Sequence, residues 1–199
     1  MSLIAGAAPA VVLGSTSRYR AELLHRLLSH FEQHAPGTDE TPLPDEAPAA
    51  RALRLAIAKA NAAASGQQNA LIIGSDQVAE LNGSILRKPG TAERAYAQLR
   101  ASSGQVVAFH TALCLLDTRS GHQHVHVDRT LVCFRTLNNA EIQRYVEHEQ
   151  PLDCAGSFKA EGLGISLFKR IESEDPTALI GLPLIALARL LRDCGVVLP

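Results

Sequence analysis

The stretch Leu71-Ile72-Ile73-Gly74-Ser75-Asp76-Gln77-Val78 decides how this chain is read. Three large apolar residues in a row, closed by a glycine, describe a strand buried on both faces, and such strands belong to α/β folds whose helices cover the sheet. Ligands in those folds gather at the carboxyl ends of the strands, where Asp76 is expected. An isolated Asp in that place more often caps a turn or accepts backbone hydrogen bonds than performs chemistry. Its role therefore depends on what other segments bring to it.

Upstream, Ala10-Val11-Val12-Leu13-Gly14 reads as a first core strand, and Ser17 can cap a helix in which Leu23, Leu24, Leu27 and Leu28 follow helical spacing. A Pro-rich, acidic loop over 36–48 carries Asp39-Glu40-Thr41-Pro42. The Ala-, Leu- and Ile-rich segment 49–64 then reads as a helix whose charged positions are Arg51, Arg54 and Lys59.

Downstream, Asn82-Gly83 between two short apolar runs is a hairpin signal. Segment 91–101 is expected as a helix, and 106–116 as a strand paired with 125–134 across Arg119-Ser120-Gly121. Asn138 or Asn139 can cap a helix over 140–147, and 165–168 is expected as a further strand. Pro183 suits the first turn of a terminal helix carrying Leu184, Leu187, Leu190 and Leu191. No repeat or long linker interrupts the pattern, so the expectation is α/β with a mixed sheet, residues 1–199 forming a single domain.

Composition narrows the function classes. Nineteen Lys+Arg against twenty Asp+Glu leave a formal net charge of -1, which gives no bulk-charge case for nucleic acid or an anionic membrane as partner. Any anionic ligand must be held by a local cluster. Cys114, Cys133, Cys154 and Cys194 are scattered without a Cys-x-x-Cys pair, which disfavours a zinc site and suits a reducing compartment. No stretch reaches the roughly 20 apolar residues of a membrane span. Residues 1–13 are apolar but lack a basic residue ahead of the apolar part, so they are read as leading into a core strand of a cytoplasmic protein rather than as a signal peptide.

Five further segments carry residues suited to chemistry. In Gly14-Ser15-Thr16-Ser17-Arg18-Tyr19-Arg20, hydroxyls, free backbone N–H groups and an Arg at a helix start make an anion cradle, although a plainly capped helix is an equal alternative and no Walker pattern is present. Lys59 and Arg87-Lys88-Pro89 add cations on either side of the Asp76 strand. Glu40 can hold Mg²⁺ through a direct oxygen and water, or decorate the surface. Glu161 lies in the Gly-spaced run Ser157-Phe158-Lys159-Ala160-Glu161-Gly162-Leu163-Gly164 and can accept paired N–H donors from a guanine edge. The alternating His122, His124 and His126 read as a polar strand face opposite Val125 and Val127 rather than as a metal site. No Gly-x-Ser-x-Gly elbow surrounds any serine.

Taken in order, Val12-Leu13-Gly14-Ser15-Thr16-Ser17-Arg18-Tyr19-Arg20-Ala21-Glu22-Leu23-Leu24, Asp39-Glu40, Gly74-Ser75-Asp76-Gln77-Val78, Lys88-Pro89, Ala155-Gly156 and Gly181-Leu182-Pro183-Leu184 resemble the Maf family of nucleotide pyrophosphatases over nearly the whole chain. Within it, Tyr19, Gln77 and Glu161 resemble the set of the 7-methyl-GTP branch, where an aromatic, a Gln and a Glu hold places that many members fill with Arg, Thr and Gln.

The resemblance implies a twisted, elongated, two-lobed sheet fold with a central cleft, of the Maf/ITPase-like kind. It implies hydrolysis of a nucleoside triphosphate between the α- and β-phosphates with a divalent metal, Mg, Mn or Co. Asp76 would be the general base and, with Glu40, a metal ligand. Ser15, Ser17, Arg20, Lys59 and Lys88 would hold phosphates, and Tyr19, Gln77 and Glu161 would choose the base. Alternatives left open are a dTTP/UTP pyrophosphatase and a non-catalytic, nucleotide-binding regulator of septum formation; a homodimer is also open. Arg18, Arg87 and Ala21 depart from the family's common Pro, Gly and basic residue at those places.

Overall fold

The computed structural model describes residues 8–199, so the reading of residues 1–7 as part of the lead into the first strand lies outside them. Among the described residues one seven-stranded mixed sheet runs in the order β2-β1-β3-β5-β6-β7, with β4 on β3. β1 (Ala10–Gly14) pairs in parallel with β2 (Glu32–His34) on one side and β3 (Ala70–Leu81) on the other. β3 then pairs antiparallel with β5 (Val106–Asp117), which pairs antiparallel with β6 (His122–Phe134), and β7 (Phe168–Glu172) closes that edge. α1 (Arg18–Leu24), α2 (Pro48–Ala63), α3 (Ala92–Ser102), α4 (Asn139–Glu149) and α5 (Leu184–Asp193) flank the sheet. None of the described helices is long and apolar enough to cross a membrane.

The expected strand over 71–78 is real but longer, and Asp76 is not at its end. The strand continues to Leu81 because β5 pairs with it residue by residue from Leu71 to Glu80. The other edge is interrupted: β1 accompanies β3 only as far as Gly14↔Gly74, and the antiparallel β4 (Ser84–Leu86) reaches back from Leu81 only to Ala79. Ser75, Asp76, Gln77 and Val78 therefore lie in a break in the pairing, beyond the carboxyl end of β1. A break of that kind opens space beside a strand that stays rigid.

Alternation along β3 divides the work of this segment. Ile72 and Val78 belong to the core under α2, and Asp76 shares their face. Leu71 and Ile73 point the other way, into the core formed with α1 and α5, so Ser75 and Gln77 face that side. The far half of the sheet is covered by α3 and α4 over Ala79, Phe109, Phe134 and Phe158. Each fully buried large apolar side chain in these clusters stabilises the fold by about 1.5–3 kcal/mol relative to exposure.

α2 sits unusually close to the sheet, and two glycines allow it. A Cβ on Gly74 would collide with the Ala56 carbonyl, and one on Gly14 would lie 2.9 Å from both the Ala63 Cβ and the Lys59 carbonyl. The facing residues of α2 are correspondingly small: Ala52, Ala56, Ala60 and Ala63 are buried, with Leu55 and Lys59 in the same stripe. This contact fixes where Lys59 ends up.

Several local signals hold. Thr91 caps α3. Asn138 caps α4 in a reciprocal capping box with Glu141. The Asn82–Gly83 turn has both residues at positive φ, 49° and 82°, as the hairpin requires. Two expectations are corrected. α1 ends at Leu24, and Leu27 and Leu28 pack on the core from the turn that follows. The expected strand at 165–168 is a 3-10 turn over Leu163–Leu167, with the strand starting at Phe168. His122, His124 and His126 share one face of β6, His122 exposed and the other two half-buried opposite Leu115 and Leu113, while Val127 on the other face packs on the core under α2.

Candidate active site

The break in β3 pairing opens into a cleft of about 1180 Å³. It is lined by every residue singled out from the sequence: Ser15, Ser17, Tyr19, Arg20, Glu40, Lys59, Asp76, Gln77, Lys88 and Glu161. They arrive from β1–α1, the loop before α2, α2 itself, β3, the turn after β4 and the loop after α4.

Lys59 is the centre of the charged part. Its ammonium lies 2.6 Å from Asp76 Oδ1 and 2.7 Å from Glu40 Oε1, and its side chain is only 9% exposed. Two carboxylates facing one buried ammonium form a place built to stabilise positive charge. Burial pushes the Glu40 carboxyl up, but the hydrogen bond and charge of Lys59, helped by Lys88 and Arg20, outweigh it and hold Glu40 below the usual carboxylate range.

Glu40 stands on a loop that α2 fastens down. The Arg51 guanidinium donates to the Glu40 carbonyl at 2.9 Å, and Arg54 donates to the Thr41 carbonyl at 3.2 Å. Arg54 also grips Glu46 through two nitrogens, at 2.5 and 2.8 Å. That grip drops the Glu46 carboxyl to about 2. Sequence reading named Arg51 and Arg54 only as charged helix positions; their hold on the loop that carries Glu40 is visible only in the fold.

The entry to α1 is equally structured. Ser15 Oγ accepts from the Ser17 amide at 3.1 Å and from Arg20 at 3.4 Å, while Ser17 Oγ caps the helix by accepting from the Arg20 amide. Each hydroxyl is an acceptor in these bonds, which leaves its O–H to donate. Arg20 Nε donates to the Gly181 carbonyl at 2.8 Å, and Ser75 Oγ donates to the same oxygen at 3.0 Å. Burial lowers the Arg20 guanidinium from its ordinary value, opposed by the charges of Asp76 and Glu40; it remains a cation.

Gln77 turns out to work by anchoring. Its amide nitrogen is shared among Thr111 Oγ1 and the Ala178 and Leu179 carbonyls, at 3.0, 2.9 and 3.0 Å. Together with Ser75 it ties the segment 178–181 to the sheet, forming one wall of the cleft. Tyr19 lies at the other end, where the Arg18 guanidinium donates to its hydroxyl at 2.8 Å and rests 4.8 Å from the ring centroid. Burial pushes the Tyr19 phenol up to about 12, so it stays neutral. Asp153, which sequence reading did not single out, and Cys154, named there only among the scattered cysteines, line this end beside Tyr19 and Glu161.

Glu40 and Asp76 supply two hard oxygen donors around a position that a cation already occupies, which fits Mg²⁺ or Mn²⁺ in chemical type. Among the described residues no group of three or more His, Cys, Asp or Glu could hold a metal alone. A metal here needs oxygens from water, or from a phosphorylated ligand, to complete its shell.

An α/β cleft with cations beside two carboxylates is the architecture of a class that handles phosphorylated small molecules. The chain belongs to the Maf family: the family model described as Maf-like protein matches residues 10–194. Relatives named 7-methyl-GTP pyrophosphatase include one from Burkholderia thailandensis, 55% identical over 96% of this chain and 90% of its own. Another, from Cupriavidus metallidurans, is 54% identical over 94% of each chain. A third, from Xanthomonas oryzae pv. oryzae, is 55% identical over 96% of this chain and all of its own.

Proposed function

We propose that this chain, acting as one domain over residues 1–199, is a nucleoside triphosphate pyrophosphatase that hydrolyses 7-methyl-GTP to 7-methyl-GMP and pyrophosphate. The relatives' names support the substrate. The observation that carries the reading is the division of the cleft: Arg20, Lys59 and Lys88 act on Asp76 and Glu40, while Tyr19 and Glu161 both act on Cys154 at the other end.

In this reading the triphosphate lies along the cationic part. Arg20, Lys59 and Lys88 offset its charge, and the Ser15 and Ser17 hydroxyls donate to its oxygens. Asp76 orients a water and takes its proton as the water oxygen bonds to the α-phosphorus, while the α-phosphorus to bridging-oxygen bond breaks and pyrophosphate leaves. Lys59 holds Oδ1 of that carboxylate, so the second oxygen is assigned the proton. A divalent cation, Mg²⁺, Mn²⁺ or Co²⁺, held by Glu40 and Asp76, supplies further charge stabilisation when bound.

Base choice falls to the other end. A guanine methylated at N7 is positively charged, which favours an aromatic face and a nearby carboxylate. Tyr19 and Glu161 supply these, and Gln77 holds the wall against which the base packs. Removal of a modified nucleotide from the precursor pool fits a cytoplasmic setting.

The test is the identity of the products. Chromatography after incubation with 7-methyl-GTP and Mg²⁺ is expected to show 7-methyl-GMP with pyrophosphate. Release of 7-methyl-GDP and phosphate would place cleavage at the wrong bond, and binding without either product would make the chain a regulator.

A further inference from the structure

The nucleoside end of the cleft holds a carboxylate that the reading above leaves unused. Asp153 lies on the exposed turn between α4 and the 3-10 turn Ala155–Ser157. Its Oδ2 accepts from the Tyr19 hydroxyl at 3.4 Å, and its Oδ1 accepts from the Cys154 thiol at 3.4 Å. The Tyr19 hydroxyl thus donates to Asp153 while accepting from Arg18, a two-sided hold on a phenol that would otherwise be free to turn.

The corner already behaves as a cation site. The Arg18 guanidinium sits over the Tyr19 ring with its carbon 4.8 Å from the centroid, the geometry of a cation–π contact. Glu161 lines the same end. Burial raises the Cys154 thiol to about 12, with the charges of Asp153 and Glu161 adding to that, so both carboxylates act on one small region of the wall.

We infer that Asp153 is a further determinant of base selectivity, holding the Tyr19 ring in place and adding to Glu161 the negative charge that a ring cationic at N7 requires. This rests on the proposed substrate. Two carboxylates next to an aromatic face favour a cationic ring over its neutral counterpart, because only the charged ring gains from both the field and the quadrupole. Arg18 is the resident cation of the corner and has to give way when such a base enters.

The experiment measures kcat/KM for 7-methyl-GTP and for GTP side by side in the wild type, Asp153→Asn and Asp153→Glu. Asn keeps an acceptor for the Tyr19 hydroxyl and removes the charge; Glu keeps the charge. The ratio of methylated to unmethylated substrate is expected to fall about fivefold in Asp153→Asn, the size of an exposed charge pair, mainly through KM, and to be largely restored in Asp153→Glu. An equal loss on both nucleotides, or an unchanged ratio, overturns the inference. A wild type that shows no preference for the methylated nucleotide would instead sink the substrate proposal itself, so the two failures are distinguishable.

Discussion

Lys59 Nζ lies 2.6 Å from Asp76 Oδ1, joining the middle of α2 to the one part of β3 that has no strand beside it on the β1 edge. The contact exists because Gly74, two residues before Asp76, lets the helix backbone rest on the sheet. Sequence, packing and chemistry meet at this pair.

Replacing Asp76 with Asn keeps the shape and removes the base. Turnover of the substrate is expected to fall by about a hundredfold or more, the usual contribution of a positioned base. Nucleotide affinity, measured by calorimetry, is expected to be largely retained. Near-normal turnover would remove Asp76 from the chemistry.

Gly74→Ala tests the packing that delivers Lys59. The new methyl meets the Ala56 carbonyl and Ala60, so α2 must move outward, at a cost of about 1–3 kcal/mol typical of overpacking. Thermal unfolding should show that loss, and activity should drop with it because Lys59 moves away from Asp76. A variant with native stability and full activity would show that the close approach is dispensable.

Removing the bridging cation should expose what it neutralises. In Lys59→Met, Glu40 and Asp76 lose the ammonium between them and keep only the more distant charges of Arg20 and Lys88, and breaking a partly buried pair is expected to destabilise by about 2–3 kcal/mol. Mn²⁺ added without nucleotide should then raise the unfolding temperature of the variant more than that of the wild type, since a cation returns to the same carboxylates. Equal responses would argue against these two residues as a cation site.

The loop bearing Glu40 should loosen in acid. Glu46 has its folded value depressed to about 2 by Arg54, so its contribution is fully present above the ordinary Glu value of 4.5 and is lost as pH falls towards 2. Glu40, also depressed, acts in the same direction. Protection of the amides in residues 39–46, taken relative to their intrinsic exchange rate at each pH, is expected to fall between pH 4.5 and 2, and Glu46→Gln should show the lower protection already at neutral pH. A pH-independent loop would contradict the role of Arg54.

Local signals carried much of this fold in the sequence. The apolar run of β3, the Ser17 and Asn138 caps and the Asn82–Gly83 turn each depend on neighbours within a few residues. β2 escaped notice because Glu32-Gln33-His34 is short and polar, and only its parallel partner β1 makes it a strand. The hairpin signal marks the end of β3 at Asn82–Gly83, but its continuity through Asp76 was hidden, because β5 determines that from a distance.

Site residues divide along the same line. Lys59 stood in phase with Ala52, Ala56 and Ala63, so its place on the buried face of α2 was written in the helical period. That its ammonium bridges two carboxylates depended on the glycines beneath it. Gln77 stands in the sequence only as a base-choosing position that the resemblance implies, yet its anchoring of 178–181 involves a partner segment a hundred residues away. Asp153 lies on a turn with no periodicity to mark it, and only the fold brings it to Tyr19.

The most direct test of the central claim is a pyrophosphate-release assay with Mg²⁺ or Mn²⁺ on a panel of 7-methyl-GTP, GTP, dTTP and UTP. The account predicts the highest kcat/KM for 7-methyl-GTP. Faster release from dTTP or UTP, or tight nucleotide binding with no pyrophosphate released from any of the four, would contradict it.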